Sequence, residues 1–194
     1  MSEASSSRKR YAGPNVLAQT MRAAPGGIAQ EIKDEMAYIF ENLSDTSGYS
    51  HSLARRLRVT EVSYEPKPDA PSKKTARAVL EIEVDDEMVN DSDILHGACS
   101  AFLVDFCGSI VITLQAGITT RKYIGHVSQT ISMAYHAPAK LGTKIKIVNT
   151  VMSMGKRSMV SRTEIYDTNH DRLVASGIHV KMYPQATAEF KARL

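Results

Sequence analysis

No uninterrupted apolar run in this 194-residue sequence approaches the ~18 residues that cross a bilayer, which points away from an integral membrane segment. An excess of one charge is also lacking. The 24 Lys and Arg stand against 21 Asp and Glu, and the basic residues are spread along the chain, so no nucleic-acid footprint is expected. Cysteine is scarce: Cys99 and Cys107 sit on one predicted helix, where ~12 Å of axial rise keeps them from pairing, and a reducing compartment follows. The Gly-x-Ser-x-Gly elbow, the Gly-x-x-x-x-Gly-Lys phosphate loop and the His-Glu-x-x-His and Cys-x-x-Cys metal spacings are all missing. With the histidines scattered over presumed strands and loops, neither a metal site nor a cofactor is expected.

What is present fits one soluble core with extensions. Residues 1–27 are rich in Ser, Gly, Ala and Arg, with Glu3 the one acid, and read as a flexible or targeting tail. The location expected from this is cytoplasmic or mitochondrial. Over 28–50, Ile28, Ile32, Met36, Ile39, Phe40 and Leu43 recur at helical spacing and predict an N-terminal helical extension. A main domain over 51–184 and a C-terminal tail over 185–194 complete the division.

Within the main domain, "RRLRVTEVSYEP" and "ARAVLEIEV" alternate as strands around a "KPDAPSKK" loop. The small-residue helix "ILHGACSAFLVDFCGS" follows, and then four more strand candidates punctuated by Gly142, Gly155 and Asn169. About six antiparallel strands against one apolar helix make an α+β layer. Gly97, Ala98, Ser100, Ala101 and Gly108 let the sheet approach closely, which is the hot-dog arrangement: a sheet wrapped around a central helix, with the additional N-terminal helix outside it.

The central helix carries one carboxylate among apolar residues. Asp105 is costly there unless partnered or functional, and loss of solvation would make it a stronger base; the plain alternative is an Asp on a wet helix face. Asp93 is placed to cap the helix, with the amides of His96 and Gly97 in its first turn, where a developing oxyanion is stabilised. Gly97 and Asp105 stand ~12 Å apart along the axis, too far to touch one carbonyl. A shared site would need two protomers. In "HVSQTISMAY", Val127, Ile131, Met133 and Tyr135 take one strand face and leave Ser128 on the other, either lining a pocket or facing water.

These residues resemble a known pattern. "NDSDILHGACSAFLVD" resembles the N-x-x-G-x-L-H-G-G-x-x-x-x-L-x-D block of hot-dog acyl-CoA thioesterases of the PaaI-like family. "VSQTISMAYHAPAKLGTKIKI" and "TNHDRLVASGIHVKM" resemble that family's later strands. The resemblance implies a homo-oligomer, dimer or tetramer of hot-dog dimers, hydrolysing medium- to long-chain fatty acyl-CoA. It also implies roles: Asp105 activates water or attacks, the Gly97 amide polarises the thioester carbonyl, Asn90 and His96 orient the thioester, and Ser128 places the water. CoA phosphates would meet cations among Arg121, Lys122, Lys140, Lys156 and Arg157. Two family glycines are replaced, by Asp93 and Ala98. That keeps a second reading open, a non-catalytic acyl-CoA-binding or regulatory hot-dog protein. A hydratase is disfavoured because its paired Asp and His are not found.

Overall fold

The structure is a computed structural model describing residues 13–44, 49–123 and 125–184. The expected tail over 185–194 and the first twelve residues of the expected targeting segment lie outside the described residues. Three helices, α1 (Val16–Ala23), α2 (Gln30–Ser44) and α3 (His51–Arg56), precede β1 (Arg58–Lys67) and β2 (Ala70–Glu83). Then come α4 (Gly97–Thr120), β3 (Val127–Tyr135), β4 (Lys144–Met154), β5 (Ser158–Asp167) and β6 (Arg172–Met182). The six strands form one antiparallel sheet in the order β1-β2-β4-β5-β6-β3. The helix and strand pattern of the sequence predicts this α+β hot-dog fold.

α4 is long and apolar enough to pass for a membrane span by composition, yet it packs against β2, β4, β5 and β6 as the core helix. Leu103, Val104, Val111, Ile112 and Leu114 are fully buried along it. Each contributes about 1.5–3 kcal/mol by leaving water, and Leu103→Ala would cost about 2–5 kcal/mol.

The flexible tail expected over 1–27 gives way from Val16 onward to α1, which buries Leu17, Ala18 and Met21. Asn15 caps it by accepting from the Ala18 amide at 3.1 Å. This helix shields an edge of the sheet. The β1 amide of Val59 donates to Thr20 Oγ1 at 2.9 Å, and that of Val62 donates to the Pro25 carbonyl at 3.1 Å. Gly26 permits the approach, since it sits at φ +123° and a Cβ there would lie 1.8 Å from the Val62 carbonyl oxygen. The opposite edge, β3, is exposed along nearly its whole length, with Val127, Ile131 and Tyr135 open to solvent.

Two local expectations change. The "KPDAPSKK" stretch is mostly strand: a tight turn at Pro68 and Asp69 joins β1 to β2. Pro66 is tolerated because β1 is an edge strand. Asp93 does not cap α4. It lies in the preceding turn at φ +56°, its amide donating to the Asn90 carbonyl and its own carbonyl accepting from Leu141. Asp tolerates this left-handed conformation better than most residues, so it can stand where the resembled pattern has glycine.

Candidate active site

His96 is the residue that caps α4, its Nδ1 accepting from the Ala98 amide at 2.9 Å. Its proton is therefore on Nε2. The amide of His96 is taken up by the Met88 carbonyl at 2.8 Å. Of the two amides expected at the helix start, His96's is thus taken up outside the helix, and Gly97's is the one left without a described hydrogen bond. Asn90 Oδ1 accepts from the amides of Ser92 and Ile94 at 3.0 and 3.2 Å, fixing the turn that delivers His96 and Gly97. At this end of β3, the Tyr135 hydroxyl donates to the Gly97 carbonyl at 3.1 Å.

Asp105 lies two turns further along α4 and is not buried: its side chain is 43% exposed. What holds it is a set of partners on the strands. Ser128 Oγ donates to Asp105 Oδ1 at 2.9 Å. His179 Nε2 is 2.9 Å from the same hydroxyl, and Lys181 Nζ is 3.3 Å from it. Since Ser128 gives its proton to the carboxylate, its oxygen accepts from both, which places the His179 proton on Nε2. Lys181 Nζ also donates to Ser109 Oγ at 2.7 Å and lies 3.5 Å from Asp105 Oδ1. His179 is fully buried and pushed down to about 4, by desolvation first and the Lys181 charge second, so it is neutral near pH 7. Lys181 is lowered by its burial, with Asp105 pulling the other way.

Strict alternation would separate Ser128 from Ile131, but the structure puts both beside α4. Ile131 lines a shallow depression with Asp105, Ala98 and Phe102, while Ser128 bonds Asp105. An irregularity between Ser128 and Thr130 in the pairing with β6 shifts the phase of the strand. His179 and Lys181 were missed by the sequence reading. On β6 their face is polar and the intervening Ile178 and Val180 are apolar, so alternation assigns the polar face to water; in the structure that polar face is the buried one.

The five cations do not gather in one protomer. Lys140 is joined to Ile94 beside the start of α4. Arg121 caps the far end of the 24-residue helix, ~36 Å away, and donates to Glu35 Oε1 at 2.8 Å, with Lys122 next to it. Lys156 and Arg157 lie in the β4–β5 turn, at the sheet end where β6 finishes and β3 begins.

A long core helix enclosed by a six-stranded antiparallel sheet is the hot-dog fold. Residues 93–174 match the thioesterase superfamily. Human acyl-coenzyme A thioesterase 13 is 30% identical over 110 residues, 57% of this chain and 75% of that protein. The zebra fish thioesterase superfamily member 2 structure superposes with a TM-score of 0.62 at 23% identity, covering 79% of this chain and 98% of that one. The E. coli PaaI protein from the phenylacetic acid degradation operon superposes at 0.58 and 15% identity, covering 79% and 96%. The chain belongs to the thioesterase superfamily and is a thioester hydrolase.

Proposed function

We propose that the chain hydrolyses medium- to long-chain fatty acyl-CoA to free acid and CoA, as a two-fold dimer whose sites each take Asp105 from one protomer and the Gly97 amide from the other. One observation carries the reading. Ser128, bonded to Asp105, and Tyr135, bonded to Gly97, stand at opposite ends of the one sheet edge left uncovered among the described residues. Pairing that edge antiparallel with a second copy about an axis near Ile131 sets each Ser128 end beside the partner's Tyr135 end. Asp105 then faces the partner's helix start. Pairing also removes an exposed apolar strand edge that would otherwise invite aggregation.

All contacts described for the Asp105 carboxylate converge on Oδ1, leaving Oδ2 to take a proton from water. The resulting hydroxide adds to the thioester carbon, and the carbonyl oxygen becomes an oxyanion facing the Gly97 amide, with His96 Nε2 as a neighbouring donor. Collapse breaks the C–S bond, and the proton on Asp105 passes to the departing thiolate. Water and substrate balance the reaction without a cofactor. Acyl-CoA as the substrate class rests on the name of the human relative. The same two-fold brings the partner's β4–β5 turn, carrying Lys156 and Arg157, toward the Lys140 end of the site, where CoA phosphates would enter.

The test is complementation between two inactive variants. Asp105→Ala removes the carboxylate, and Gly97→Pro removes the amide while suiting the first position of a helix. Each alone should release almost no thiol from acyl-CoA. Mixed dimers should recover about half the wild-type rate, because one of the two sites is then intact. Failure to recover any rate in mixed dimers overturns the composite site. Wild type that binds acyl-CoA but releases no thiol overturns the hydrolase assignment.

A further inference from the structure

A cavity of about 220 Å³ lies between α4 and the helical layer α1–α3, and the reaction steps above make no use of it. Its walls are chiefly apolar, with Leu17 from α1, Ile39 and Phe40 from α2, Ala54 from α3, and Phe106 and Ile110 from α4. Its near end, at Ser109, lies one helical turn from Asp105. Phe106 and Ser109 flank Asp105 on α4, and Thr113 continues the same stripe at the next turn, so Asp105, Ser109 and Thr113 are successive i, i+4 positions. Tyr49 lines both this cavity and the surface depression that holds Asp105, Ala98 and Ile131. Its ring meets Phe102 edge-on at 5.8 Å, and Phe102 stacks on Phe106 at 5.6 Å, so an aromatic path joins the two.

Resting on the acyl-CoA reading, we infer that this cavity seats the acyl chain, that it is built within a single protomer by its own N-terminal helices, and that it gauges a medium-length linear chain. From Asp105 to Thr113 the helix rises about 12 Å, and at about 1.3 Å per bond of an extended chain that is room for about eight to ten carbons. The volume agrees. At about 30 Å³ per liquid water the cavity has space for about seven waters, and a methylene fills nearly the same space as a water. His126 on the wall is pushed down to about 4, chiefly by burial, and so presents no charge to an alkyl chain at neutral pH. Thr113 Oγ1 lies 3.1 Å from its Nε2 and satisfies that nitrogen.

Non-hydrolysable S-alkyl-CoA thioethers separate this inference from the hydrolase reading, because binding is then measured without turnover. By calorimetry on the full chain, affinity should rise roughly fourfold per methylene from butyl to decyl, then level off toward hexadecyl. Ala54→Leu fills the cavity and should bind the butyl compound as wild type does while losing most of the gain to decyl. A variant profile that overlays wild type overturns the inference. A second measurement needs no variant: a decyl-CoA thioether with a terminal diazirine, photolysed on wild type, should label peptides carrying Leu17, Phe40 or Ala54. Label confined to the sheet overturns it. Thioether binding with this profile but no hydrolysis of any acyl-CoA would sink the hydrolase reading and leave the cavity assignment standing.

Discussion

His179 Nε2 lies 2.9 Å from Ser128 Oγ, whose proton is directed to Asp105 Oδ1 at the same distance. A neutral, buried imidazole thus fixes a hydroxyl, and the hydroxyl fixes one oxygen of the carboxylate, leaving the other free for water. The order of dependence sets the order of mutational effects. Asp105→Asn should lower kcat by about 100-fold or more, the range for losing a general base, with the Kd for a thioether analogue unchanged. Ser128→Ala should cost about tenfold, since the carboxylate keeps its charge but loses its orientation. A Ser128→Ala loss as large as that of Asp105→Asn would mean that the hydroxyl takes part in the chemistry directly.

Lys181 is a positioning residue in the same cluster. Its Nζ spans Ser109 and Ser128 at 2.7 and 3.3 Å and stands 3.5 Å from Asp105. Lys181→Met should reduce kcat by about 10–100-fold with KM nearly unchanged, because the described contacts of the ammonium are with Ser109, Ser128 and Asp105. Lys181→Arg should restore only part of the rate, as a planar guanidinium cannot make the same short contacts on a site built for a point charge. If Lys181→Met raises KM and spares kcat, the ammonium belongs to substrate binding instead.

Acid should weaken the fold at an identifiable place. His179 and His126 are both depressed to about 4, against an ordinary imidazole value of about 6.5, mainly by desolvation, with the Lys181 charge adding to both. The unfolded chain therefore binds more protons than the folded one as pH falls below about 6.5, so stability is full above that value and declines toward pH 4. The groups around His179 are Asp105, Lys181, Ser128 and His126. Tm measured across this window should fall steadily for wild type and less steeply for His179→Gln, which has nothing to protonate. Parallel slopes would show that other groups set the acid response.

The helix start and the carboxylate were legible because a helix has one fixed rise per residue: Gly97 and Asp105 can be spaced from sequence alone. The strands concealed their part. At Ser128 the irregularity in the pairing with β6 reverses the side-chain phase, and nothing in "HVSQTISMAY" marks it. On β6 the apolar residues Ile178 and Val180 face outward while Gly177, His179 and Lys181 face α4. Buried polarity there is spent on contacts with Ser128 and Asp105, against the usual rule by which alternation is read. The N-terminal layer was legible at α2, whose apolar spacing runs over four turns. α1 has eight residues in a polar context and was not, since its stability comes from docking on α2 and β1.

Ala98 and Gly108 distinguish positions on α4 that look alike in sequence. Ala98 is exposed and its amide is already held by His96 Nδ1, so a methyl there neither blocks Gly97 nor strains the backbone. Ala98→Gly, which restores the family pattern, should leave kcat/KM within about twofold and cost up to about 1 kcal/mol in stability. Gly108 is buried, and a Cβ would come within 2.7 Å of Ser161 Oγ and 3.4 Å of His179 Nδ1. Ser161 and His179 are both fully buried between strand and helix, which leaves them little room to move aside. Gly108→Ala should therefore destabilise by about 1–3 kcal/mol and lower kcat together, by pushing His179 off Ser128. Thermal melts and thiol release on the two variants check this directly, and a silent Gly108→Ala would show that the His179 seat can yield without cost to the reaction.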